Sequence, residues 1–230
     1  MERTEKSYIR LCRHIYNAKN KMRYLFSIVI IMMLFLPALA QKTTYISKCD
    51  NLKETIVWQE QKTKEKIFLS VIQGNERQEY VMNKSLQTEK WQIINPSLQT
   101  DLTIELRNNI YSIEGRFKGK SIAKAVKSNG YVWYQNIAYN AGISLKGKKA
   151  IKYECFRPDN IKLYTMMAET QDIEKFENMD ALKVTVTLTG FLSAFWSCSY
   201  YFDPTALKFI GYKGVNGKPG TPETFIKIVK

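Results

Sequence analysis

Three features of this 230-residue sequence predict an all-β, mainly antiparallel fold. Apolar and polar residues alternate over short runs: Leu182, Val184, Val186 and Leu188 stand between Lys183, Thr185, Thr187 and Thr189. That period of 2 places one set on each face of a pleated strand. The runs are rich in β-branched and aromatic residues, which suit a pleated, half-buried surface. Turn residues such as Asn108-Asn109, Lys118-Gly119 and Asp203-Pro204 separate them. The pattern reads as about ten to twelve short strands and one short helix, in an antiparallel sheet curled into a barrel, half-barrel or sandwich.

The N-terminal 40 residues read as targeting sequence. Lys19, Lys21 and Arg23 precede an apolar run over 25–36, interrupted only by Ser27, and Ala38 and Ala40 form an A-x-A cleavage signal. A basic region, a short apolar core and small residues before the cut describe a secretory signal peptide. The run is short for a membrane span, which needs about 20 apolar residues. Met22 is a better start for such a signal than Met1. The expectation is an extension plus signal over 1–40, cleavage after Ala40, and a single β domain over 41–230 with no integral membrane span.

Residues 43–50 read as a lead-in, followed by strands over 52–59, 66–73, 78–82 and 88–94. Gly74-Asn75 turns the second into the third, and Asn95-Pro96 stops the last. Leu102, Ile104 and Leu106 begin a meander that turns at Asn108-Asn109, returns over 110–117, turns at Lys118-Gly119 and runs on over 121–127. Asparagine tolerates the positive φ such a turn demands. Over 131–145 the period changes. Trp133, Tyr134, Ile137, Ala138 and Ala141 fit a helical face, with Gly142 as a stop. This segment divides two meanders that share one sheet.

Strands follow over 149–156 and 161–168, then an acidic stretch over 169–180 that reads as a helical turn. The last meander has strands over 182–189, 191–202 and 207–212. Asp203-Pro204 forms its second corner, by an Asx side chain bonding its own backbone and a proline presetting φ. A loop over 214–222 precedes a final edge strand over 225–229.

Charge and residue inventory narrow the function. The chain carries a formal +14; seven of its 35 basic and two of its 21 acidic residues precede Gln41, leaving +9 on 41–230. The basic residues are scattered, which suits a solvated face, and nucleic acid is a poor partner for an exported protein. His14 is the only histidine, so the cleaved chain would lack the usual general base and any His-containing triad. No nucleophile elbow, phosphate-cradling glycine loop or dinucleotide fingerprint is present. Cys49, Cys155 and Cys198 match no zinc spacing, and their odd number leaves at least one thiol unpaired within the chain. No cofactor, metal site or catalytic residue is expected. Glu105, Glu114, Glu154 and Asp172 are the carboxylates available to a glycan hydrolase, without a spacing that singles out a pair.

Binding is the stronger reading. The run over 191–202 is aromatic on both faces: Trp196 and Tyr200 on one, Phe191, Phe195 and Tyr201 on the other. One apolar face suffices for a sheet wetted on its other side. The second face either packs beneath the helix that begins near Trp133 or lines a trough for an apolar ligand. Trp133, Phe191, Phe195, Trp196, Tyr200 and Tyr201 are therefore the candidate ligand-binding residues.

V-W-Y-Q over 132–135, T-L-T-G-F-L-S-A-F-W over 187–196, Y-Y-F over 200–202 and G-K-P-G-T-P-E-T over 217–224 resemble an uncharacterised group of exported Gram-negative bacterial proteins. That group is similar to the open half-barrel of the lipoprotein carriers LolA and LolB. The resemblance spans most of 41–230. It implies an open or half β-barrel with one short helix packed at or in its mouth, in a periplasmic or secreted protein of the cell envelope, and it implies no activity. The expected partner is an apolar small molecule or lipid. The alternative is that this chain is itself a structural or interaction protein of the cell envelope, with a filled core and no ligand, whose sheet edge pairs with an envelope protein.

Overall fold

The computed structural model describes residues 41–190, 196–215 and 220–229. They form one fifteen-stranded open sheet and a single α-helix. The first half comprises β1 (Gln41–Cys49), β2 (Leu52–Lys62), β3 (Lys66–Gln73), β4 (Glu76–Asn83), β5 (Thr88–Asn95), β6 (Thr100–Arg107), β7 (Ile110–Phe117) and β8 (Lys120–Lys127). Next come β9 (Val132–Trp133), α1 (Ile137–Ser144) and β10 (Ala150–Phe156). The second half continues with β11 (Leu163–Phe176), β12 (Met179–Leu188), β13 (Ser197–Phe202), β14 (Phe209–Val215) and β15 (Glu223–Ile228).

The spatial order is β8-β7-β6-β5-β4-β3-β2-β1-β15-β14-β13-β12-β11-β10-β9. Every neighbouring pair is antiparallel except β9 with β10. Both meanders belong to this sheet, joined where β1 pairs with β15. The strand at the chain's end is thus central rather than the expected edge, and the expected lead-in is β1, a full partner of two neighbours.

This order forces the sheet to curl. β8 and β9 lie at opposite ends of the sheet, yet only residues 128–131 separate them in the chain. Laid flat, fifteen strands would span roughly 65 Å, whereas the link reaches at most about 18 Å. The two ends meet through side chains rather than a hydrogen-bonded ladder. Glu154 of β10 is fully buried. It accepts bonds from the Tyr111 hydroxyl of β7 at 2.6 Å, Ser128 Oγ at 3.0 Å, and the Asn129 and Tyr131 amides at 2.6 and 3.3 Å. Tyr111, Trp133 and Phe156 pack edge to face beside it. Lys118 Nζ, at the β7–β8 turn, donates to the Asp159 carbonyl beyond β10 at 2.7 Å.

Turn chemistry agrees with the sequence. Asn108-Asn109 and the Lys118-Gly119 pair take positive φ. Asp203 Oδ1 accepts the amides of Thr205 and Ala206. The acidic stretch over 169–180 differs: it holds no helical turn but the tip of the β11–β12 hairpin, turning at Glu177-Asn178 with positive φ at both residues. Ile173 and Phe176, three apart in a regular ladder, fall on opposite faces of the strand, Ile173 exposed and Phe176 buried; the register breaks just before them, between Thr170 and Ile173.

That break lets the hairpin tip fold over the outer face. Phe176 stacks on Tyr201 at 4.2 Å and on Phe225 at 5.3 Å, directly above Gly211. A bulge in β14 turns Ile210 and Gly211 outward together, and Ile210 joins Ala181 in this second apolar cluster. The helix is shorter than expected. Trp133 lies in β9, and the helix begins after Asn136, whose side chain accepts the Tyr139 amide. Gly142 is not its stop but an interior residue. A Cβ there would lie 2.1 Å from the Leu207 carbonyl oxygen and 2.8 Å from the Phe202 ring, so the glycine permits helix and sheet to touch.

Candidate functional site

α1 lies across the concave face. On one flank Asn140, fully buried, donates to the Leu86 carbonyl at 2.6 Å. On the other flank Gly142 rests on Leu207 and Phe202. Gln135 anchors the entry to the helix. Its amide donates to Thr88 Oγ1 at 3.1 Å, and its side chain pairs with both the amide and the carbonyl of Phe156 at 2.9 and 2.8 Å. The helix therefore covers part of the concave face.

Beside the start of α1 lies a cavity of about 210 Å³, its wall largely buried. Its aromatic wall is Tyr45, Trp58, Tyr80, Tyr200, Phe209 and Tyr212. These residues come from β1, β2, β4, β13 and β14, which pairing brings into one row; Tyr200 faces Tyr212 across the ladder. Trp58 and Phe209 stack with planes 11° apart, and Tyr45 packs against both. Burial keeps the phenols of Tyr45, Tyr80, Tyr200 and Tyr212 protonated well above the usual tyrosine range. Glu60 adds to this at Tyr45 and Glu76 at Tyr80. Gln78 also reaches the cavity, but its side-chain oxygen accepts from Tyr80 and from Trp91 Nε1. The wall is thus uncharged, and its polar atoms are largely committed to one another.

Of the six residues expected to bind ligand, Tyr200 lines this cavity. Trp133 is fully buried at the seam, with its indole nitrogen bonded to Gln135. Trp196 is half-buried against the core and donates to the Val215 carbonyl at 3.2 Å. Tyr201 faces outward beneath Phe176, so the outer aromatic face of β13 is covered by the β11–β12 hairpin. Phe191 and Phe195 lie outside the described residues. The sequence reading missed Tyr45, Trp58, Tyr80, Phe209 and Tyr212. Their inward parity was legible strand by strand, but their meeting depends on β1 pairing with β15.

The carboxylates considered for hydrolysis are dispersed. Glu154 is sealed in the seam with its oxygens accepting four bonds. Glu105 pairs with Lys90 and Arg107, and the Lys90 hydrogen bond leads in lowering its carboxyl below the usual range. Glu114 and Asp172 are exposed. Cys49, Cys155 and Cys198 are all free thiols, and burial pushes the last two up to about 12. Among the described residues no group of three or more His, Cys, Asp or Glu side chains is placed to hold a metal, and no helix is long and apolar enough to cross a membrane.

No family model matches the chain, and no curated protein matches it. Solved structures do. One is described as a beta-barrel-like protein of domain of unknown function DUF1849 from Brucella abortus. It has 7% identity and a TM-score of 0.57, covering 85% of this chain and 98% of that one. Another is a putative outer membrane lipoprotein-sorting protein domain from Vibrio parahaemolyticus, with 10% identity, a TM-score of 0.33 and 83% of each chain covered. At these identities the likeness to the Brucella protein is one of fold: a long, curled, mostly antiparallel sheet with one helix.

Proposed function

We propose that this is an exported, non-catalytic binding protein that holds a single apolar chain, from a lipid or a lipidated partner, between α1 and the concave face. The observation that carries the reading is the cavity beside the helix, whose wall gathers six aromatic side chains around a few amides, a concave surface of the kind that small ligands occupy. Its volume, about 210 Å³, suits part of an alkyl chain rather than a whole lipid, so the rest of the ligand would extend beyond the cavity. The targeting sequence over 1–40 would deliver the protein to the periplasm or outside the cell.

Native mass spectrometry of detergent-free protein, with titration of a neutral fluorescent alkyl probe, tests this. Val71 borders the cavity, and Val71→Trp should fill it and weaken probe binding at least tenfold, roughly 1.4 kcal/mol, while leaving the folded spectrum unchanged. Wild-type protein that carries no lipid and takes up no probe would end the proposal. Pairing of a partner strand with a sheet edge is less favoured, because β8 presents Lys120, Lys124 and Lys127, and charged edges resist strand addition.

A further inference from the structure

Cys49, the last residue of β1, is a half-buried free thiol. It lines a hollow of about 230 Å³ together with Ser47, Glu54, Gln73 and Thr224. Period 2 puts Ser47 on the same face of β1 as Cys49, and the β1–β15 ladder sets Thr224 directly opposite the thiol. Residues so opposed have Cβ atoms about 5 Å apart. One hydroxyl thus faces Cys49 across the ladder, and the other lies two residues along its own strand.

These hydroxyls lack partners. Ser47 and Thr224 are each 6% exposed, yet among the described residues neither side chain makes a hydrogen bond. Nor are their oxygens sealed in. The described side-chain oxygens that are both sealed and unpartnered are those of Ser70 and Asn140. The Ser47 and Thr224 hydroxyls therefore open into the hollow they line. Buried hydroxyls normally find a partner, and leaving one unsatisfied costs free energy. Gln73 is already committed, donating to Glu54 at 2.6 Å. The hollow offers an accessible thiol with two unsatisfied hydroxyls beside it.

We propose that Cys49 is a modification site, forming a mixed disulfide with a small thiol whose substituent hydrogen-bonds to Ser47 and Thr224. This stands apart from the apolar-chain reading and does not need it. The co-reactant is a low-molecular-weight disulfide. The Cys49 thiolate attacks one of its sulfurs; a new S–S bond forms, the old one breaks, and the second thiolate leaves and takes up the proton that Cys49 gave up. One half of the small disulfide is reduced as Cys49 is oxidised, so no further oxidant enters. Oxidising compartments, where exported proteins reside, sustain such bonds. Cys155 and Cys198 are poor rivals: burial raises both to about 12, and neither borders the hollow.

Hydroxyethyl disulfide and dipropyl disulfide transfer substituents of the same size, one ending in a hydroxyl and the other in a methyl group. Each is reacted with the full chain, and adducts are assigned to single cysteines by peptide mass. Rates are normalised to those of the same two disulfides with a free small thiol. Cys49 should favour the hydroxyethyl group by about fivefold, the worth of one neutral hydrogen bond. The double variant Ser47→Ala, Thr224→Val should abolish that preference, with Cys155 and Cys198 still unmodified as the sign that it is folded. Absence of a Cys49 adduct, equal normalised rates in the wild type, or a preference that survives the double variant would overturn the proposal. Modification of Cys155 and Cys198 as fast as Cys49 would do the same, because the hollow would then confer nothing.

Discussion

Single residues decide how closely the elements approach. Gly142 is the clearest case. Its φ is ordinary helical, so conformational freedom is not the reason for a glycine there; the reason is the Leu207 carbonyl, 2.1 Å from where a Cβ would stand. That atom belongs to backbone and has little freedom to yield. Gly142→Ala should destabilise the fold by about 2 kcal/mol through overpacking, read as a lower urea midpoint at unchanged slope. An unchanged midpoint would mean that α1 does not seat on the β13–β14 corner. Glu154 works in the opposite way, by attraction. Two hydroxyls and two amides converge on its oxygens, which lets a carboxylate be buried without a cationic partner.

At the scale of elements, the β11–β12 hairpin is the part whose role sequence reading did not foresee. A strand aromatic on both faces needs a cover on each side, and the hairpin supplies the outer one. The break in register at Thr170–Ile173 bends it, and Phe176 lands on Tyr201, Phe225 and the bare backbone of Gly211. Phe176→Ala should cost about 3 kcal/mol, at the lower end for a buried phenylalanine. Amide exchange should speed up at the hairpin tip and along outward β13, with β2–β6 unaffected. Alkyl-probe affinity should stay within twofold of wild type, because this cluster lies on the face opposite the cavity. A loss of probe binding would show that the hairpin props the trough open. α1 acts at the same scale but inward: it covers one part of the concave face and borders the cavity beside its first turn.

Across the whole molecule, the concave face concentrates phenols and thiols that must stay protonated. Burial raises Tyr45, Tyr80, Tyr111, Tyr139, Tyr153, Tyr200 and Tyr212 above their usual range, and raises Cys155 and Cys198 to about 12. Above the unfolded-state values, near 8.5 for cysteine and about 10 for tyrosine, the unfolded chain binds fewer protons than the folded one. Stability therefore falls as pH rises, by about 1.4 kcal/mol per pH unit for each fully titrating group. Below roughly pH 8 these groups contribute no slope. Urea midpoints should be flat from pH 6 to 8 with respect to these groups and drop steeply from pH 9 to 11. A flat profile to pH 11 would mean that the tyrosines are wetted and the concave face is open throughout. Cys155 and Cys198 should likewise resist alkylation until the protein unfolds.

The sequence by itself determined most of the strands and their faces, though it read 43–50 as a lead-in and 169–180 as a helical turn where the structure has strands. Period-2 alternation, paired asparagines and Asp203-Pro204 are local signals, and they mark the same faces and the same turns that the sheet uses. The change of period after residue 131 also announced the one helix of the described residues, though not its length, because Trp133 is taken up by a two-residue strand against β10. Tertiary structure alone decided what local signals cannot encode. The pairing of β1 with β15 turned a presumed lead-in and a presumed edge into the centre of the sheet, and it brought Tyr45 and Trp58 to Phe209 and Tyr212. The short link between β8 and β9 made the sheet curl. Both are contacts between residues far apart in the chain, where periodicity carries no information. Which aromatic residues line the cavity, and which merely fill the core, therefore follows from the closure of the sheet.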